Sequence, residues 1–279
     1  MIDPETLAAY KAINEIADKL ADRGSFLPDA YKRRDPREPE HVKKEIFEDK
    51  LARQFDKYFA GQSERLEQYL RSRFLARKAE HPPIPDEIFT DEEIEAAILA
   101  ILVAMALAGI SIFDLQIEIG FDLATYNTLA AQWASTHSGL LITQINGTTR
   151  KAIQEAIATF LDTPGMTMRQ LMDRLPFGEA RSRLIAVTET TNAFAQAELI
   201  AAEKLQAEFP DVQVVRIWHT NNDPNVCIIC EGLEAVEINL GEKFVSKTTG
   251  GEYIAPGVPP DGPHIGDRCW VTHRTRIAK

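Results

Sequence analysis

Apolar positions in the first third of the chain recur every four residues, at Phe47, Leu51, Phe55 and Phe59 and again at Leu66, Leu70 and Phe74. That spacing lays one stripe along a helix, so each run predicts an amphipathic helix. Pro82, Pro83 and Pro85 break this region from the remainder of the chain. The next segment, Ala96 to Phe113, carries no charge and reaches the length of a membrane-span candidate. Its entry, Thr90-Asp91-Glu92-Glu93, has capping-box spacing, in which the Thr90 hydroxyl takes the Glu93 amide and the Glu93 carboxylate reaches back. Acidic residues on both flanks, including Asp114 and Glu118, supply no Lys or Arg anchor. The segment therefore reads as the core helix of a soluble bundle.

Helical texture resumes from Tyr126 to Leu161 and stops at Asp162-Thr163-Pro164-Gly165. Thr167 and Gln170 form a second capping-box pattern, opening a short helix through Leu175 that Pro176 ends. A longer helix is predicted from about Glu179 to Glu208, with Leu184, Val187, Thr191, Phe194, Ala195 and Leu205 on its apolar side and Pro210 beyond its end. Glu189, Asn192 and Gln196 share another face of it and read as a solvated stripe. The texture then changes: Val212 through Trp218 reads as a strand, and KFVSKTTGGEYI as a hairpin turning at Gly250-Gly251. The fold class expected is mainly α with a small α+β C-terminal subdomain.

Composition and charge narrow the function. With 44% hydrophobic and 26% charged residues the chain can build a large core, which excludes a wholly disordered protein. Lys+Arg 31 against Asp+Glu 42 gives a net charge of -11, so delocalised phosphate binding is disfavoured and DNA contact would need a local basic patch. The start, MIDPETLAAY, lacks the basic and apolar regions of a secretory signal, and the chain reads as unexported.

The candidate chemistry lies near the C-terminal end. All 3 cysteines, Cys227, Cys230 and Cys269, fall there, and the first two have C-x-x-C spacing. With His264 they make a Cys3His set, two ligands from each of two segments, which is the pattern zinc favours. A redox dithiol or a buried thiol pair would show the same residues, although no helix-opening signal follows Cys227, where a low-pKa dithiol would want one. His219 and Asp223 flank the first pair, and either could serve a catalytic loop. His137 and His273 show no partner at ligand spacing.

Taken in order, Arg181-Ser-Arg-Leu-Ile-Ala-Val-Thr-Glu-Thr190, Trp218-His-Thr, Asp223-x-x-Val-Cys227-x-x-Cys230, Pro259-Pro260 and His264 with Arg268-Cys269 resemble the phage Mu protein F-like head morphogenesis family. The likeness spans roughly residues 126 to 273. In that family the ending is a His followed by C-R-C, whereas HIGDRC places Asp267 where the first of those cysteines would fall. Asp267 is thus an alternative oxygen ligand, or a partner to the ligands, beside Cys269.

The resemblance implies a minor capsid protein of the phage head, present at low copy in the virion and in the host cytoplasm during assembly. It would associate with the portal protein and with other head or scaffold proteins, with a role in DNA packaging or ejection. It would carry zinc in a folding role, catalyse nothing and touch no membrane. Residues 126–279 would be the head-morphogenesis domain with its zinc subdomain; residues 1–125 lie outside the likeness and form a helical region whose stripe at Phe47, Leu51, Phe55 and Phe59 is read either as the core of a bundle of packed helices or as an arm docking on the portal. The alternative is a metal-dependent nuclease or hydrolase, in which a polar network of Glu189, His219 and Asp223 acts beside a zinc-stapled loop.

Overall fold

The computed structural model describes residues 34–75, 83–118, 120, 123–221, 226–258 and 266–277. The chain is mainly helical, with a small sheet near its C-terminal end. Helix α1 (His41–Leu75) joins both apolar runs of the first third into one element of 35 residues. A 3-10 turn (Asp86–Ile88) leads to α2 (Glu92–Ile117), and α3 (Leu123–Asp162), α4 (Met168–Met172) and α5 (Glu179–Glu208) follow. Strand β1 (Val212–His219), one-turn helix α6 (Ile228–Glu231) and strands β2 (Glu237–Asn239), β3 (Phe244–Val245), β4 (Glu252–Tyr253) and β5 (Trp270–Ile277) complete the described chain.

The stripe on α1 is core. Leu51, Phe55 and Phe59 are fully buried, with Phe47 partly so, against Ile98, Leu102 and Met105 of α2, Leu141 and Ile145 of α3 and Ile185 and Phe194 of α5. A docking surface must be free to meet a partner, so the expectation of a portal-binding stripe is corrected. Leu66 and Leu70, farther along α1, close a second apolar cluster with Ile153 and Ile157 of α3 and Leu171 of α4.

Local signals explain most element ends. Thr167 and Gln170 make the reciprocal capping box expected of them. At α2 the cap is Asp91 rather than Thr90: the Asp91 carboxylate accepts from the Ile94 amide at 3.3 Å, and the Thr90 hydroxyl instead faces the Glu87 carbonyl. Helix α2 buries Ile98, Leu102, Met105, Ile110 and Phe113, yet half of its most apolar stretch stays uncovered. It meets α5 closely at Gly109, where an added Cβ would stand 2.8 Å from Ala197 Cβ and 3.0 Å from the Phe194 carbonyl. Only glycine lets these two backbones approach so closely.

The main sheet has the order β2-β1-β5 and is antiparallel throughout, with Val212 opposite Ile277 and His219 opposite Trp270. Strands β3 and β4 form the expected hairpin, with Gly250 at φ 70 in its turn. The hairpin sits on α6 through Ser246 Oγ and Thr248 Oγ1, which donate to the Ile229 and Ile228 carbonyls. Both hydroxyls would stand 2.4 Å from a Cβ at position 232, which is glycine.

Candidate metal centre

Two chain segments meet under the sheet. Cys227 caps α6, its sulfur accepting from the Cys230 amide at 3.5 Å, so the C-x-x-C closes on a single helical turn. That a helix opens after Cys227 differs from the sequence expectation; at four residues it is held by its caps and by the hairpin above it. Cys230 points into an apolar cluster with Trp218, Leu233, Phe244, Cys269 and Val271. The second segment, residues 266 to 269, leads into β5, and its Asp267 and Cys269 face Cys230. Ligand atoms of Cys230, Asp267 and Cys269 all lie within 4.8 Å of one another, and all three residues are buried.

The donor set fits a cation. Asp267 Oδ1 accepts from the Cys269 amide at 2.8 Å, but Oδ2 is buried with no hydrogen-bond partner. A buried carboxylate oxygen without a partner is costly unless a positive charge or a proton meets it. Without a cation the thiols hold their protons: hydrogen bonds to Cys227 and Cys269, then burial, raise the Cys230 pKa, and burial pushes Cys269 up to about 12. A bound divalent ion reverses that balance by deprotonating its thiol ligands. A metal ion could therefore be held by Cys230, Asp267 and Cys269, and Cys227 sits beside them on the same turn. His264 and Asp223 lie outside the described residues.

The site is anchored to the helices through the backbone and side chains of its second segment. The Gly266 amide donates to Thr188 Oγ1 at 3.0 Å, and Thr191 Oγ1 donates to the Asp267 carbonyl at 2.5 Å, both on α5. Arg268, between the two candidate ligands, is buried and donates to Glu48 of α1 at 2.9 Å. Arg34 donates to the other oxygen of Glu48 at 2.9 Å, to Glu38 at 2.8 Å and to Thr191 at 2.9 Å, and Lys44 donates to Glu38 at 2.8 Å. A buried chain of alternating charges thus links the cluster to the start of α1.

The other sequence candidates separate. Glu189 and Asn192 are buried rather than solvated: Glu189 Oε2 lies 2.5 Å from His137 Nε2, and Trp133 stacks on that imidazole at 4.7 Å. The face read as solvent-exposed is the contact of α5 with α3, and His137 has the partner that spacing did not reveal. His219 is half-buried, stacked on Trp270 at 5.3 Å, with Nε2 2.8 Å from Thr272 Oγ1 and Nδ1 4.0 Å from Glu234. Burial lowers its pKa, and the Glu234 carboxylate opposes that. Glu189 and His219 therefore belong to two separate pairs rather than to one network.

Sequence reasoning missed the interior around His273. His273 Nδ1 lies 3.6 Å from Glu198 Oε2, and its amide donates to Gln116 at 2.7 Å. Burial pushes the Glu198 carboxyl up to about 7 against the pull of Lys44, and lowers the Arg216 guanidinium to about 10 and His273 well below its ordinary value. The only sequence signal was a charged residue at a strand or helix position whose neighbours are apolar.

Comparisons with protein-family models, with curated proteins and with solved structures give no match for this chain.

Proposed function

We propose that the protein is a minor head protein of a phage of the Mu F-like kind, and that its C-terminal cluster is a structural zinc site. The observation that carries the metal reading is the approach of Cys230, Asp267 and Cys269, whose ligand atoms lie within 4.8 Å of one another, beside a buried Asp267 Oδ2 that has no hydrogen-bond partner. Two sulfurs and an oxygen suit zinc better than the hard cations calcium and magnesium, and Cys227 or His264 would complete a tetrahedron. Bound zinc would supply folding energy by closing the segment from α6 to β5, and through Arg268 it would fix that segment to α1. The head-protein reading rests on the order of motifs from Arg181 to Cys269, which includes this cluster. A closed, buried site tied into a rigid helical body suits a particle component that must withstand packaged DNA, with portal and other head proteins as its partners.

The hydrolase alternative requires His219 to work with Glu189 or Asp223. Glu189 is committed to His137, and Asp223 lies outside the described residues.

Particles induced from the host provide the test. Mass spectrometry of purified, DNA-filled heads should find this chain at low copy and enriched with the portal fraction. Its absence from the particles would contradict the reading, as would metal-dependent DNA cleavage lost in His219→Ala.

A further inference from the structure

Helices α2 and α3 and the turn before α2 line a cleft of about 640 Å³, a size that suits a small organic molecule. Leu99 and Ile142 give it apolar walls. Gly139 and Gly147 leave it open, since an added Cβ at either would meet nothing within 4 Å. The walls also carry charge, Asp86 and Glu95 against Arg150, which leaves one negative charge in excess.

What the cleft offers a ligand depends on how these polar groups spend their hydrogen bonds. Arg150 Nη1 donates to the Ile84 carbonyl at 2.5 Å and Nη2 to the Asp86 carboxylate, and the guanidinium lies over the Phe89 ring at 4.4 Å. Arg150 and the exposed Asp86 thus neutralise each other. Asn146 Nδ2 donates to the Phe89 carbonyl at 3.1 Å, and its Oδ1 accepts from Gln62 Nε2 at 2.9 Å. The Thr143, Ser138 and Thr90 hydroxyls donate to the Gly139, Ser135 and Glu87 carbonyls, so each has only lone pairs left to give. Glu95 is different. Among the described residues no cation pairs with it, and the Tyr58 hydroxyl, 3.4 Å from Glu95 Oε1, has its single proton on the Phe89 carbonyl at 2.6 Å. The cleft therefore offers mostly acceptors, and Glu95 carries its excess charge.

We propose that this cleft binds a small organic cation, with a primary ammonium or guanidinium group at Glu95 and a short apolar body against Leu99 and Ile142. Such a group has donors and no acceptor, which matches the lining. A carboxylate or phosphate ligand would meet Glu95 and find Arg150 already engaged. A hard metal ion would need several oxygen ligands to replace its water, and Glu95 is the one carboxylate of the walls that Arg150 does not hold. The inference is independent of the metal site and of the head-protein reading.

The test uses the full chain and three probes of similar shape: phenethylammonium, the neutral alcohol phenylethanol and the anion phenylpropionate. NMR titration at low salt should show the cation binding about tenfold or more tighter than either control, with the advantage shrinking as salt rises. Glu95→Gln keeps the shape and removes the charge, so phenethylammonium should weaken about tenfold, to the level of the alcohol. Gly139→Leu puts a side chain into the cleft without a clash, and leucine suits a helix better than glycine. The melting temperature should therefore hold while phenethylammonium weakens about tenfold. No saturable binding of any probe, equal binding of cation and alcohol, or unchanged cation binding to either variant would overturn the proposal. A lysine tripeptide blocked at both ends carries the same ammonium group on a peptide and should bind more weakly than phenethylammonium. Tighter binding of the tripeptide would assign the cleft to a protein side chain and also overturn the proposal.

Discussion

At the scale of single residues, the interior holds more charge than a stable core needs, and the costs are specific. Glu198 is buried on α5 between Lys44, Arg216 and His273, and burial pushes its carboxyl up to about 7. Its proton is bound more tightly in the folded chain than in the unfolded one, where the pKa is near 4.5. Its contribution to stability is therefore fully present below about pH 4.5 and is lost as pH rises through 7. Glu198→Gln keeps the shape and removes the titration. Denaturant titrations of both proteins across this range should show the wild-type advantage over the variant shrinking by about 3 kcal/mol between pH 4 and 8. A constant difference would mean that Glu198 has the same pKa in the folded and unfolded chain. His273, whose pKa burial lowers, acts in the opposite sense, losing stability as pH falls below 6.5. The two groups partly cancel in the native chain, so the difference between proteins is the quantity to read.

At the scale of elements, the bundle depends on how closely α2 and α5 approach. Gly109→Val places methyl groups where Ala197 Cβ and the Phe194 carbonyl stand, and should cost about 1–3 kcal/mol or more, with a clear fall in Tm. An unchanged Tm would show that the helices separate easily. Helices α3 and α5 could be delimited from sequence because their signals are local: Pro164-Gly165 and Pro210 stop them and periodic apolar residues run between. The join of two predicted helices into α1 was not legible, since the residues between the two runs contain no breaker strong enough to decide. Nor was the α2 cap, because Thr90 and Asp91 are both good caps and only the geometry at Ile94 chooses. Whether the stripe at Phe47 to Phe59 faced a core or a partner was equally hidden, since periodicity gives a face and not what covers it.

At the scale of the whole molecule, the helical body and the Cys230, Asp267 and Cys269 cluster are joined by buried hydrogen bonds and ion pairs. The C-x-x-C could be read from its spacing, whereas Asp267 came only from the family resemblance, in which it falls where a cysteine would stand. The link from Arg268 through Glu48 to Arg34 could not, because its members are far apart in the chain and each alone looks like an ordinary surface charge. It has a consequence for truncation. Removing residues 1 to 80 deletes α1, uncovers Leu102, Ile145 and Phe194, and leaves Arg268 buried without Glu48. Such a fragment should be insoluble, whereas a docking arm could be removed and leave a soluble remainder. Sedimentation of the expressed fragment distinguishes the two outcomes.

The central claim is that the cluster of Cys230, Asp267 and Cys269 holds a structural metal, and metal content tests it most directly. Mass spectrometric metal analysis of the full chain, purified without chelator, should find about one zinc per chain, and Asp267→Ala should lose that zinc to a competing chelator at least about tenfold more readily. A wild-type chain with no bound metal, folded and with its thiols open to alkylation, would contradict the account.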